Sequence, residues 1–214
     1  MPVDTLFFGP LIRYNFTMFS ERKIVSEINY EAERAVLMLE SILRRWKGGD
    51  TSRDILRTMR VLDLASGSGE SHGMLTTWYP HFSRICAAHG ADVVAIDINP
   101  QKGDDKTMFT WAQVDLVDVV LNQGLQSLQI LKERKFDLIH SANFVGRNYY
   151  PELLSQLNER GVTMRQFENN FLEQAGTLLA EDGMMTIDTQ DTRISFLFQS
   201  ILYTKKQDVI IPLV

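Results

Sequence analysis

The chain has 214 residues, of which 44% are hydrophobic and 23% charged, and its net charge is −5. This length predicts one globular domain with a sizeable core, and the acidic balance argues against a general nucleic-acid binder. One cysteine excludes an internal disulfide, and no apolar run reaches the roughly 20 residues that span a bilayer, so we expect a cytoplasmic protein without a membrane partner.

The N-terminal part of the chain is expected to differ from the rest. We predict an aromatic and helical lid segment over residues 1–50 and a single main domain over 51–214. Aromatic side chains crowd residues 5–19 without a periodic pattern, so this stretch either packs on the domain's own core or covers a ligand site. In the second case Tyr14 contacts substrate. From about Ser20 to Lys47, apolar residues recur at steps of three and four, which predicts a helix.

A short apolar run followed by very small residues is the most informative motif. Val61 to Leu64 read as a buried strand, and Ala65 to Gly69 read as a tight turn into a helix. Small residues allow a ligand to lie almost on the backbone, facing bare N–H groups. A helical region is predicted over 71–89, with Pro80 breaking or restarting it.

The rest of the chain alternates between predicted strands and helices. Strands are expected at Asp92–Asp97, Thr107–Val114, Phe136–Ser141, Met184–Asp188 and Val209–Val214. Helices are expected from Val117 to Leu131, from Tyr150 to Glu159, from the Thr163 capping box to a C-cap at Gly183, and from Ile194 to Leu202. This alternation predicts an α/β fold, with a Rossmann-like, mainly parallel twisted sheet and helices on both faces.

Polar side chains follow four of the predicted strands: Asp63, Asp97, Asp115 and Asn143. Ligands bind at this carboxyl edge of such sheets, near the point where the strand order reverses. Asp97 suits the two hydroxyls of a ribose, or else a turn with the following Asn99. Asp115 suits an N-cap, or an adenine amino group, and these two roles can coexist.

The charge of the motif selects among nucleotide-like ligands. Ala65, Gly67 and Gly69 are spaced by two, unlike the dinucleotide fingerprint G-x-G-x-x-G. Asp63 before the loop would repel a pyrophosphate and attract a cation. The loop therefore favours a nucleoside with a positive group and no phosphate, and S-adenosylmethionine meets that description.

These residues, in this order and with Phe136–Ile139 opening the fourth strand, resemble the class I S-adenosylmethionine-dependent methyltransferases over about residues 55–190. The resemblance implies that Asp63 and the 65–69 loop hold the methionine end, Asp97 the ribose and Asp115 the adenine amine, while Asn143 and Phe144 border the cofactor and the methyl-acceptor side. The complete expected cofactor set is Asp63, Ala65, Ser66, Gly67, Ser68, Gly69, Asp97, Ile98, Asp115, Leu116, Asn143 and Phe144.

The sequence departs from that family at two places. Ala65 stands where the family often has glycine, and only one convincing strand follows Ile187 where the family has a reversed strand pair. The C-terminal strand pair is therefore expected to be shortened or rearranged, or to be supplied by a partner chain, as in a homodimer.

Methyl transfer from a sulfonium is a direct displacement, so it needs alignment and at most a base rather than a nucleophile or a metal. His140 is a candidate base, although a core histidine is the favoured interpretation. Arg147 could bind an anionic substrate beside Tyr149 and Tyr150, and the start of a surface helix is the alternative for this segment.

We expect a small-molecule methyltransferase. The alternatives are a methyltransferase for protein or RNA, a nicotinamide-dependent oxidoreductase on a similar sheet, and a non-catalytic cofactor-binding module.

Overall fold

A seven-stranded sheet organises the chain. The computed structural model describes residues 22–46, 53–67, 71–72, 76–77, 79–101, 107–142, 144–145, 151–190, 198–206 and 209–213. The strands of the main sheet are β1 (Arg60–Leu64), β4 (Asp92–Asp97), β5 (Thr110–Gln113), β6 (Phe136–Ala142), β7 (Leu179–Gln190), β8 (Phe198–Lys206) and β9 (Val209–Leu213). A separate antiparallel pair consists of β2 (Ser71–His72) and β3 (Thr76–Thr77).

The strand order is β5-β4-β1-β6-β7-β8-β9. The first five strands are parallel, whereas β8 is antiparallel to β7 and to β9. The chain runs from β1 outward through β4 to β5 and then crosses to β6 on the other side of β1. The order therefore reverses beside β1, and the loop that leaves this strand lies at the reversal point, where ligands bind in α/β sheets.

Helices cover both faces of the sheet, as predicted. α1 (Arg22–Trp46) and α2 (His81–Ala88) pack on one face, and α3 (Leu116–Asp118), α4 (Pro151–Glu159) and α5 (Met164–Leu178) belong to the other. β1 is buried on both sides because Leu62 and Leu64 point into one apolar cluster and Val61 into the other. None of the helices that the structure describes has the length and apolarity to cross a membrane.

The long N-terminal helix is confirmed between Arg22 and Trp46. Its predicted inner face is buried at Ala35, Leu39 and Ile42, which join the cluster against β1 and β4. Each large apolar side chain buried in this way contributes about 1.5–3 kcal/mol relative to leaving it in water. The second half of this helix is therefore part of the sheet's core.

Two predicted helices prove less regular than expected. Among the described residues of the 71–89 region, His81–Ala88 alone are helical, because Thr76 and Thr77 favour β structure and the helix starts directly after Pro80, as predicted. In place of one Val117–Leu131 helix, the chain forms α3, a π turn and a 3-10 turn. Gly124, whose φ of 82° is left-handed, separates the π turn from the 3-10 turn. The apolar stripe of this segment nevertheless packs inward.

The helix α5 begins as predicted and ends earlier. Thr163 and Gln166 form the expected capping box. The helix stops at Leu178, so the prediction of Gly183 as its C-cap is wrong. Gly183 lies in β7, where the register against β6 shifts, and a Cβ at this position would lie 2.8 Å from the Ala180 carbonyl oxygen. The bulge, not the helix end, requires this glycine.

The C-terminal edge of the sheet is complete within the chain. The predicted Ile194–Leu202 helix is wrong over its described part, because residues from Phe198 onward form β8 and pair antiparallel with β7. The apolar spacing there fits a helix, but antiparallel pairing with β7 from Phe198 to Thr204 satisfies backbone groups along this segment and decides the outcome. β9 then pairs with β8, so two strands follow β7 where one was expected. Because both strands come from the same chain, the sheet needs no strand from a partner chain, and this reason to expect a homodimer falls away.

Candidate functional site

The loop after β1 is held in a strained, tight turn. Ala65 has a φ of 57° and Gly67 a φ of 80°, both in the left-handed region. The backbone N–H of Ser66 donates to the Ile96 carbonyl oxygen at 3.1 Å, which fastens the loop to the end of β4. Small side chains keep the strain energy of this left-handed backbone low, since a bulky residue would clash with its own carbonyl oxygen.

Asp97 at the end of β4 anchors the same loop. Its Oδ2 accepts a hydrogen bond from the Gly67 N–H at 2.9 Å, and its Oδ1 accepts from the backbone and side-chain nitrogens of Asn99 at 3.0 and 3.2 Å. The predicted turn role is therefore confirmed. A carboxylate offers about four acceptor positions, and the three bonds from described residues leave one on Oδ2. The ribose role stays a prediction, and this remaining capacity supports it.

Asp115 lies after β5 and caps α3. Its Oδ1 accepts hydrogen bonds from the Val117 and Asp118 N–H groups at 2.9 and 3.2 Å, which confirms the cap. Its Oδ2 bonds to none of the described residues. Asp115 is half-buried as a residue, and the adenine contact of this oxygen stays a prediction.

Two further predicted residues flank these carboxylates. The Ile98 side chain is 52% exposed directly after Asp97, so it presents apolar surface at the rim. Gln113 Nε2 donates to the Ile98 carbonyl oxygen at 3.1 Å and links the carboxyl ends of β4 and β5. Leu116, by contrast, is buried in the core cluster, so only its backbone is available to a ligand.

Asp63 is placed differently from Asp97 and Asp115. Its side chain is 1% exposed and faces α2, where Oδ2 accepts from the Ser83 hydroxyl at 2.6 Å and Oδ1 lies 2.7 Å from Nδ1 of His140. The carboxylate is therefore engaged inside the protein, beneath the loop rather than at the open rim. Burial, helped by the negative charge of Asp63, raises the pKa of Cys86 well above its usual value. The thiol of Cys86 is therefore a core group.

The favoured interpretation of His140 as a core histidine agrees with the structure. Its ring is 2% exposed and stacks on Phe82, with centroids 3.9 Å apart and planes inclined by 20°. A ring enclosed in this way cannot reach a methyl acceptor, so His140 is withdrawn as a candidate base. Ser83 and Phe82, which enclose it with Asp63, were missed in the sequence because a serine and a phenylalanine in a short helix carry no distinctive signal.

Phe144, after β6, packs into the core rather than standing free. Its ring meets Phe167 and Phe171 of α5 edge-on, with centroids 5.7 and 5.5 Å away. This contact fixes where the chain leaves β6. The remaining predicted site residues lie outside the described residues: Tyr14, Ser68, Gly69, Asn143, Arg147, Tyr149 and Tyr150.

A cavity of about 780 Å³ runs beside β4 and β5, and Pro100, Gln101 and Gln113 line one end of it. None of the described loop residues Ala65–Gly67 lines this cavity, so it adjoins the site without containing it. Within the described ranges, no group of three His, Cys, Asp or Glu side chains suits a metal ion.

The strained alanine gives a testable expectation. Ala65→Gly should raise the free energy of unfolding by up to about 1 kcal/mol, because a left-handed non-glycine residue costs about 1–2 kcal/mol and the added chain entropy offsets only part. For the control Ala87→Gly, in the right-handed helix α2, the free energy of unfolding should fall by about 1 kcal/mol. Urea unfolding measures both. An equal loss in the two variants would show that Ala65 is not strained.

Solved structures similar to this chain include methyltransferases. A TehB-like SAM-dependent methyltransferase from Corynebacterium glutamicum is 18% identical, covering 77% of this chain and 76% of its own, with a TM-score of 0.40. A protein described as a ribosomal RNA methyltransferase from Plasmodium falciparum is 12% identical, with coverages of 74% and 78% and a TM-score of 0.44. The N-methyltransferase NodS from Bradyrhizobium japonicum is 18% identical, with coverages of 75% and 68% and a TM-score of 0.39. No family model and no curated protein sequence matches the chain.

Proposed function

We propose that this chain is an S-adenosylmethionine-dependent methyltransferase that acts on a small-molecule acceptor. The observation that carries the proposal is the bond between Asp97 Oδ2 and the Gly67 N–H. It brings the carboxylate that we propose for the ribose against a loop of small residues, at the point where the strand order of a mainly parallel sheet reverses. A nucleoside at this edge would lie between loop backbone and carboxylate.

The residues at this edge fit the parts of S-adenosylmethionine. The remaining acceptor position of Asp97 Oδ2 suits a ribose hydroxyl, and Asp115 Oδ2 suits the adenine amino group. The exposed Ile98 side chain lies between these two carboxylates in the chain and offers an apolar surface to an adenine ring. The loop at Ala65–Gly67, continued by Ser68 and Gly69, would pass the methionine end.

The spacing of the loop favours a nucleoside without phosphate over a dinucleotide. Ala65, Gly67 and Gly69 are spaced by two, which differs from the dinucleotide fingerprint. Asp97 does not distinguish the two ligands, because an acid at this place also bonds the ribose of a dinucleotide. The loop spacing is therefore the feature that argues against the oxidoreductase alternative.

When bound, S-adenosylmethionine supplies a methyl group on a positively charged sulfur with a good leaving group. The protein's own task is then to orient the acceptor in line with that methyl and to keep competing water away. We assign the acceptor side to the chain after β6, from Asn143 and Phe144 to Arg147, Tyr149 and Tyr150, and we propose Tyr14 as a further substrate contact. Any base must come from a group other than His140, which is enclosed.

The acidic chain favours a small acceptor over RNA, because a net charge of −5 repels a phosphate backbone. The acceptor class can be tested with S-adenosylmethionine labelled in its methyl group and incubated separately with metabolite, protein and RNA fractions. We expect label only in the metabolite fraction. Label in protein or RNA would move the proposal to the alternative acceptors.

A further inference from the structure

A buried polar cluster lies directly beneath the loop that the proposed function assigns to the cofactor. Its members are Asp63 of β1, Ser83 of α2 and His140 of β6, each at most 2% exposed. Ser83 Oγ donates to Asp63 Oδ2 at 2.6 Å, and Nδ1 of His140 lies 2.7 Å from Asp63 Oδ1. The cluster therefore joins three separate elements through one carboxylate.

Burial prevents this carboxylate from contacting a ligand from its present position, because Asp63 is 1% exposed. To reach a group above the loop, Asp63 would have to leave Ser83 or His140, and a buried hydrogen-bonding group without a partner is costly. Phe82 stacks on the His140 ring and holds it in place. Ser83 and His140, which bond to Asp63, are fixed in α2 and β6, so they cannot move toward the loop together with the Asp63 side chain.

The cluster is well placed to set the shape of the loop. Asp63 is two residues before Ala65, whose left-handed backbone starts the turn, and it pairs with Ala95 of β4 and with His140 of β6. Fixing the end of β1 to α2 and β6 fixes where the turn begins. The bonds of Ser66 and Gly67 to β4 then fix where the turn goes.

We propose that Asp63, held by His140 and Ser83, is a positioning residue for the loop rather than a contact to the cationic end of the cofactor. This inference rests on the proposed function and replaces the role that the family resemblance implies for Asp63. His140 and Ser83 share this positioning role with Asp63. Loss of any member should disturb the whole nucleoside site and not only its methionine end.

Two ligands separate positioning from direct contact. S-adenosylhomocysteine carries the amino-acid ammonium, whereas methylthioadenosine has the same adenine and ribose without it. Asp63→Asn removes the charge but keeps an oxygen acceptor and a nitrogen donor in the same shape. By calorimetry, we expect this variant to change the Kd of both ligands by the same factor, within about threefold of each other. A loss of about tenfold or more for S-adenosylhomocysteine alone would overturn the inference.

Variants of His140 supply a rescue test. His140→Leu removes the bond to Asp63 and should weaken both ligands by the same factor, about tenfold or more. His140→Asn keeps a nitrogen donor at the position of Nδ1 and should recover most of that loss. In the wild type, NMR should show a downfield Nδ1 proton for His140 that disappears in Asp63→Ala. Equal affinities in His140→Leu and the wild type would contradict the positioning role.

A pair of serine variants covers the case in which His140→Leu does not fold. Ser83→Ala removes the other bond to Asp63, and its matched control is Ser155→Ala, an exposed serine of α4 whose hydroxyl donates to its own helix neighbour Glu159. We expect weaker binding of both ligands only in Ser83→Ala. A wild type that binds neither nucleoside would refute the proposed function. A selective loss in Asp63→Asn, with a binding wild type, refutes only this inference.

Discussion

Asp97→Ala is expected to weaken S-adenosylhomocysteine binding by about 100-fold or more. The substitution removes the acceptor proposed for the ribose and also frees the Gly67 N–H, which Asp97 Oδ2 holds at 2.9 Å. A hydrogen bond to a charged group is worth about 1.5–3 kcal/mol, and two such losses amount to about 3 kcal/mol or more. Isothermal titration of the variant and the wild type measures the ratio of Kd values.

The same strand provides a matched control. Asp92 stands at the opposite end of β4, where its carboxylate bonds to Arg134 at 2.6 Å on the surface. Asp92→Ala also removes one carboxylate from β4 and should leave the Kd within about twofold, because an exposed ion pair contributes about 0–1 kcal/mol and lies far along the strand from the loop. If Asp97→Ala binds like the wild type, the assignment of the ribose to this carboxylate is wrong.

Phe171→Ala is expected to lower the free energy of unfolding by about 3–5 kcal/mol, because a fully buried ring leaves a cavity that the core cannot refill. The ring of Phe171 also supports Phe144, whose centroid is 5.5 Å away. The variant should therefore loosen the chain where it leaves β6 toward the acceptor side. Chemical denaturation followed by tryptophan fluorescence measures the loss of stability.

Leu154→Ala is the control for that measurement. Leu154 lies on α4 and is 37% exposed, so its truncation should cost far less than the loss at Phe171, about 1 kcal/mol or less. A loss in Phe171→Ala as small as that in Leu154→Ala would show that α5 does not pack on this part of the core.

The sheet and its carboxyl edge are predictable from the sequence because their signals are local. An apolar run such as Val61–Leu64, followed by very small residues, predicts a buried strand and a tight turn without knowledge of distant contacts. The capping box at Thr163 is equally local. Asp115 as a helix cap follows from the same kind of information.

The parts that could not be predicted depend on contacts between distant segments. The apolar spacing through Ile201 and Leu202 fits a helix, and only pairing with β7 makes this segment a strand. Gly183 resembles a helix cap until the register shift beside β6 is known. The bond from His140 to Asp63 joins residues 77 positions apart, so an acid that reads as a ligand contact is in fact buried beneath the loop.

The central claim, a site for a cationic nucleoside without phosphate, is tested most directly by calorimetric titration of the full chain. S-adenosylmethionine, S-adenosylhomocysteine, NAD and NADP should be titrated under the same conditions. We predict saturable binding of the first two ligands at one site per chain and no measurable heat from NAD or NADP. Tight binding of NAD or NADP without binding of S-adenosylmethionine would contradict the account.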